Sequence, residues 1–145
     1  MVGLTFVAMF LSASLQETHP APASPPAGVG MIVHEADTLV RQTPPHNGTG
    51  MSTAYRISGV VPNRSMEFRK RVMHPGSSIG LHVIAHDEVY YVVSGEGDVT
   101  TDGVTTRMRA GDTAYLYDGS NVGIAQVGED DLVLIIAYPL ARRVN

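Results

Sequence analysis

The chain has 145 residues, enough for one domain plus an extension. Its net charge of −4 leaves no basic footprint, so no nucleic-acid partner is expected. The absence of cysteine excludes disulfides, thiolate metal ligands, cysteine nucleophiles and a lipoprotein-type anchor.

Val2–Leu15 is an apolar run of signal-peptide length without Lys or Arg, too short to span a bilayer as a helix. A Pro/Ala-rich linker follows over Thr18–Gly28. Residues 1–30 are therefore expected to be a signal peptide and linker, and residues 31–145 the mature domain. That organisation places the protein outside the cytoplasm, secreted or periplasmic, with no membrane attachment after processing. The alternative is an N-terminal docking arm. His19 falls in the linker and His34 is expected at the surface.

Pro44-Pro-His-Asn-Gly-Thr-Gly50 reads as a loop that folds over a barrel mouth, with His46 as a minor site candidate. Phe68–His74 is the first clear strand candidate. The pattern Glu67-Phe-Arg-Lys-Arg71 at its start reads as a solvated strand face. His82, Ile84 and the alternating run to Val92 have the period of two expected of strands. Within it, Val89-Tyr-Tyr-Val-Val93 is β-branched and aromatic and suits a packed, pleated surface. Ser94–Gly97 and Thr101-Asp102-Gly103 are turn clusters, the second a hairpin signal. Thr113–Tyr117, Val122–Val127 and Leu132–Tyr138 complete the strand candidates, and no segment carries a sustained helical repeat. Short strands between turns predict an all-β sandwich or small barrel.

Two spaced series of residues carry a further signal. In the first, Gly76 is followed after five residues by His82, then by Ile84, Glu88 and Gly95. In the second, Gly111 is followed by Tyr117, Gly119, Val122 and Gln126. Over residues 50–140 these series resemble, in spacing and order, the two motifs of the cupin superfamily. In that family histidines stand at the positions of Ile84 and Val122. The resemblance implies a cupin jelly-roll barrel, or double-stranded β-helix, as a single domain with an N-terminal extension. It also implies a metal centre near His82, with Glu88 as ligand or general base.

Because Ile84 and Val122 cannot coordinate, other donors would have to complete such a centre. His74, at the end of its strand, and His86, between His82 and Glu88, are the candidate imidazoles. Gln126 lies four residues past Val122 and faces the same side of a strand, where its amide oxygen is a possible ligand. The expected metal set is thus His82, His74, Gln126, His86 and Glu88. A carboxylate inside an apolar barrel needs a cation or donors; Arg56, Arg69 and Arg71 are the non-metal partners open to Glu88. Tyr115 joins Glu88 as a candidate catalytic group, although strand tyrosines more often pack.

Nitrogen-rich sites favour copper, with iron, manganese and zinc as alternatives. Similarity to compact secreted cupins implies a copper-dependent oxidoreductase acting on a polysaccharide or small-molecule substrate, with oxidative cleavage of cellulose as the known activity of such proteins. Two other readings stay open: a non-catalytic module binding a small ligand or carbohydrate, and a metal-dependent isomerase or lyase using Glu88 as base. The run Leu132–Ala137 is apolar on both faces, so a homodimer is expected.

Overall fold

The structure is a computed structural model and describes residues 29–141. The expected signal peptide and the Pro/Ala-rich linker, with His19, lie outside the described residues. No helix among the described residues is long and apolar enough to cross a membrane.

Ten strands follow one another: β1 (Leu39–Gln42), β2 (Ser52–Tyr55), β3 (Met66–Met73), β4 (Ser78–Val83), β5 (Glu88–Ser94), β6 (Glu96–Thr101), β7 (Val104–Arg109), β8 (Thr113–Leu116), β9 (Asn121–Val127) and β10 (Leu132–Pro139). Short 3₁₀ turns at Glu35–Thr38 and Ile57–Val60 are the only helical elements among the described residues. The strands form two antiparallel sheets, one ordered β1-β2-β3-β10-β5-β8 and the other β4-β9-β6-β7. This is the expected all-β jelly roll. β1 and β2 escaped the sequence reading, because Leu-Val-Arg-Gln and Ser-Thr-Ala-Tyr are four-residue strands with no clear alternation.

Alternation along each strand sets the core. On β5 Tyr90 and Val92 are buried while Tyr91 and Val93 are exposed. On β10 Leu132, Leu134 and Ile136 enter the same core, whereas Val133, Ile135 and Ala137 turn outward and are half-buried. Met73, Leu116, Val122 and Ile124 close the apolar end. Asp102 and Gly103 both adopt positive φ, 49° and 84°, between β6 and β7, the hairpin geometry expected from their residue types.

β3 corrects the reading of Glu67–Arg71. Glu67, Arg69 and Arg71 share the inward phase with buried Met73, while Phe68 and Lys70 face out. Glu67 is 3% exposed and Arg71 2%. The inner surface thus grades from charged residues at one end to methionine and leucine at the other.

A bulge re-aims β4. Ile79 pairs with Ile124 and His82 with Val122, so three steps along β4 match two along β9. Without the extra residue, Leu81 and Val83 would follow Ile79 inward. Instead they are 58% and 68% exposed, and Ile84, at 3%, joins the core beyond His82.

Leu134 is fully buried and sits between β3 and β5, opposite Arg71 and Val92. Leu134→Ala is expected to cost about 2–5 kcal/mol, read by urea unfolding; a loss below about 1 kcal/mol would contradict the core described here.

Candidate functional site

A cavity of about 320 Å³ opens at the charged end of the barrel, among His46, Arg69, Arg71, His82, Ile84, His86, Glu88, Tyr90 and Tyr138. β3 supplies the arginines, the loop between β1 and β2 His46, β4 and its following turn His82 and His86, and β5 and β10 the glutamate and tyrosines.

Arg71 lies deepest. Its Nη1 donates to Ser52 Oγ at 2.8 Å, while its Nε is buried without a partner. No carboxylate among the described residues pairs with it. Burial, and then the neighbouring charge of Arg69, lowers its pKa to about 10, so it remains a cation at neutral pH. Arg69 is better satisfied. Its Nη2 lies 2.9 Å from Glu67 Oε1 and donates to the Tyr138 hydroxyl at 2.7 Å, but its Nε is also buried and unpartnered.

The histidines form two stacks. His46 lies flat on His82, with ring centroids 3.5 Å apart and planes 5° from parallel. His82 Nδ1 donates to Gly80 O across the bulge at 3.0 Å, which fixes the ring. Burial first, then the charges of His82 and Arg71, holds the His46 imidazole below its ordinary pKa range. His86 stacks on Tyr138 at 4.2 Å and donates through Nε2 to Glu88 Oε2 at 3.3 Å. Burial raises the Glu88 pKa, and His86, His82 and Arg69 oppose that rise. Burial also pushes the Tyr90 phenol far up, so it stays protonated.

Three of the site residues expected from the sequence, His82, His86 and Glu88, meet in this cavity. The other three do not. His74 donates through Nδ1 to Asp131 at 2.9 Å, and its Nε2 lies 3.1 Å from Thr53 Oγ1, away from the cavity. Gln126 is buried, but its amide is fully used: Oε1 accepts from Gly76 N, and Nε2 donates to Gly128 O and Asp130 O. It ties turns together. Tyr115 is 54% exposed on β8 and donates to Asp87 at 2.6 Å, so it belongs to the outer surface. Sequence reasoning named Arg69 and Arg71 only as partners for Glu88 and passed over Tyr138. The available signal was their phase, because Arg71 stands two residues before an apolar Met73 in a strand.

A wider cavity of about 660 Å³ lies on the other side of Arg69 and Tyr138, near Arg56, Arg64 and Glu67. It holds none of the spaced motif residues. The smaller cavity holds His82, Glu88 and the Arg71 guanidinium, whose only hydrogen-bond partner among the described residues is Ser52, and is the candidate site.

The family model for the cupin domain matches residues 70–138. The oxalate-binding protein of Thermotoga maritima is 31% identical over 109 residues, covering 72% of this chain and 90% of that protein. The chain belongs to the cupin superfamily. Among solved cupin structures, a predicted oxalate decarboxylase from Thermotoga maritima superposes with a TM-score of 0.68 at 27% identity, over 77% of this chain and all of that one. An RmlC-like cupin from Shewanella frigidimarina gives 0.60 at 21%, over 79% of this chain and 95% of that one, a likeness of fold.

Cupins commonly bind metal ions, and the donor set here bears on that. Ile84 and Val122 fill the two familiar histidine positions with side chains 3% and 0% exposed. No group of three or more His, Asp or Glu among the described residues is placed to hold an ion. The stacked His46 and His82 rings direct their in-plane lone pairs side by side, not toward one point. These residues do not fit the expected centre, whether for copper, iron, manganese or zinc.

Glu88 gives the site a pH signature. A carboxyl with a raised native pKa binds its proton more tightly when folded. Its stabilising contribution is complete below the ordinary glutamate range and is lost as pH rises through the raised native value. Wild-type stability is therefore expected to fall in the window just above the ordinary glutamate pKa. Glu88→Gln, which stays neutral, should flatten that fall in urea unfolding from about pH 4 to about pH 7; an unchanged slope would contradict the assignment.

Proposed function

We propose that this cupin binds a small carboxylate anion, with oxalate as the leading case, in the cavity above Arg71. The observation that carries the reading is the buried Arg71 guanidinium, which has one hydroxyl partner and no carboxylate. A buried charge without a counterion is costly unless something pairs with it. A carboxylate matches the fork of a guanidinium in charge and geometry. Arg69, whose Nε is buried without a partner, lines the same space as a second guanidinium, and Ile79, Ile84 and Ile136 provide dry walls.

Size supports a small ligand. Sites for organic ligands span about 300–1,000 Å³, and this cavity, about 320 Å³, lies at the lower end. The name of the Thermotoga relative, an oxalate-binding protein, supports the same chemical class. The reading coincides with the non-catalytic alternative from the sequence. Copper-dependent cleavage of cellulose draws no support from this donor set, and nothing beyond the residues at 1–30 speaks for secretion.

A homodimer forms part of the proposal. Phe68, Tyr91 and Val93 are exposed on the outer face of the larger sheet, beside the outward residues of β10. Light scattering of the full chain is expected to give twice the monomer mass; a monomer would remove this element.

Calorimetry with oxalate tests the main reading. Wild type is expected to bind and Arg71→Met to bind at least about thirtyfold more weakly. Replacing a lone buried cation by an apolar side chain of similar length is expected to leave stability unchanged or raise it by about 1–4 kcal/mol. Equal oxalate affinity in Arg71→Met would sink the proposal, and a large loss of stability would reassign Arg71 to the scaffold.

A further inference from the structure

We propose that His46 determines the size selectivity of the cavity: its ring, clamped flat on His82, closes the mouth and restricts the ligand to short carboxylates. The inference rests on the carboxylate reading above and adds which members of that class are admitted.

The clamp is built from backbone. The loop joining β1 to β2 runs along the bulged strand β4 and is stapled to it. Thr49 and Ser78 exchange two backbone hydrogen bonds, at 3.0 and 3.1 Å, and their hydroxyls lie 2.9 Å apart. Gly80 N donates to Pro45 O at 3.3 Å. A Cβ at Gly80 would run into the His46 carbonyl oxygen, and one at Gly48 into the Ser78 carbonyl oxygen. The loop therefore approaches β4 more closely than side chains on these two glycines would allow.

The price appears in the dihedrals. His46 and Asn47 hold φ values of 60° and 57°, in the left-handed region that non-glycine residues rarely adopt. Such a conformation persists where its surroundings over-determine it, and here those surroundings are the staple and the imidazole stack. The bulge serves both partners. It turns His82 inward, and its Gly80 admits the loop that carries His46.

The geometry fixes the consequence. His46 and Arg71 line the same small cavity. A two-carbon dicarboxylate can pair with Arg71 and leave the stack intact. A chain several methylenes longer must pass the mouth and part the two rings, losing their contact.

Two measurements on the full chain test this. In the first, oxalate and adipate are titrated into wild type and His46→Gly, a change that relieves the positive φ and removes the ring. Wild type is expected to prefer oxalate, and the variant to shift the oxalate-to-adipate affinity ratio toward adipate by about tenfold or more. In the second, diethylpyrocarbonate modification is followed at His82 by peptide mass spectrometry. His82 is expected to react slowly in wild type and several-fold faster in His46→Gly. Gly80→Ala, which pushes the loop off without touching either ring, is expected to reproduce both effects. If wild type binds oxalate but the ratio is unchanged in both variants, His46 has no role in selectivity and the carboxylate reading stands. Equal His82 reactivity in all three proteins overturns the clamp itself. If His82 becomes reactive as expected but no protein binds either dicarboxylate, the carboxylate reading fails and the selectivity falls with it.

Discussion

Two guanidinium groups ride on the inward phase of β3, and the charged end of the barrel is arranged around them. One of them, Arg69, is largely satisfied by Glu67 and Tyr138. Arg71 is not, and Ser52 alone accepts from it. A fold stabilised by burying apolar surface does not place a cation there for the sake of stability. The other end of the same barrel holds Met73 and Leu132, which are fully buried. This asymmetry separates the apolar packing that holds the molecule together from the charged cavity at its other end.

The histidines and Glu88 complete that end by using aromatic surface as well as charge. His86 lies between Tyr138 and Glu88, touching one with its face and the other with its edge. His82 is held by its own bulge and covered by His46. Each imidazole thus has one nitrogen or one face committed to the protein, and what remains points into a space bounded by Ile84 and Ile136. At the two positions where a cupin usually has histidines stand the buried Ile84 and Val122, and Ile84 forms a dry wall of the cavity.

Much of the fold was legible because strand period and turn chemistry are local. Val89–Val93 alternates, Asp102-Gly103 makes its hairpin, and both glycine series stand where the chain turns or packs closely. The site was only partly legible, because its membership depends on phase and on distant loops. Gln126 and His74 are plausible ligands by type, yet each is held by a partner fifty or more residues away in sequence, Gly76 and Asp131 respectively. Arg71 was visible as a possible partner for Glu88 but not as a cavity floor, because a run of alternating charges resembles an exposed face until Met73 sets its phase. The β4 bulge has no sequence signature beyond Gly80, so the inward aim of His82 followed from the resemblance and not from alternation.

The alternation of β3 has one more consequence. Strand register and the chemistry of the cavity are here the same variable. A slip of one residue on β3 would bring Phe68, Lys70 and Val72 to the interior and turn both arginines and Glu67 out to water. The lesion would touch no residue of the cavity by identity, and the sheet would still have a partner strand for every ladder. Insertions or deletions in the turn around Asn63–Ser65, which leads into β3, are therefore the changes by which this barrel could keep its outline and lose its charge.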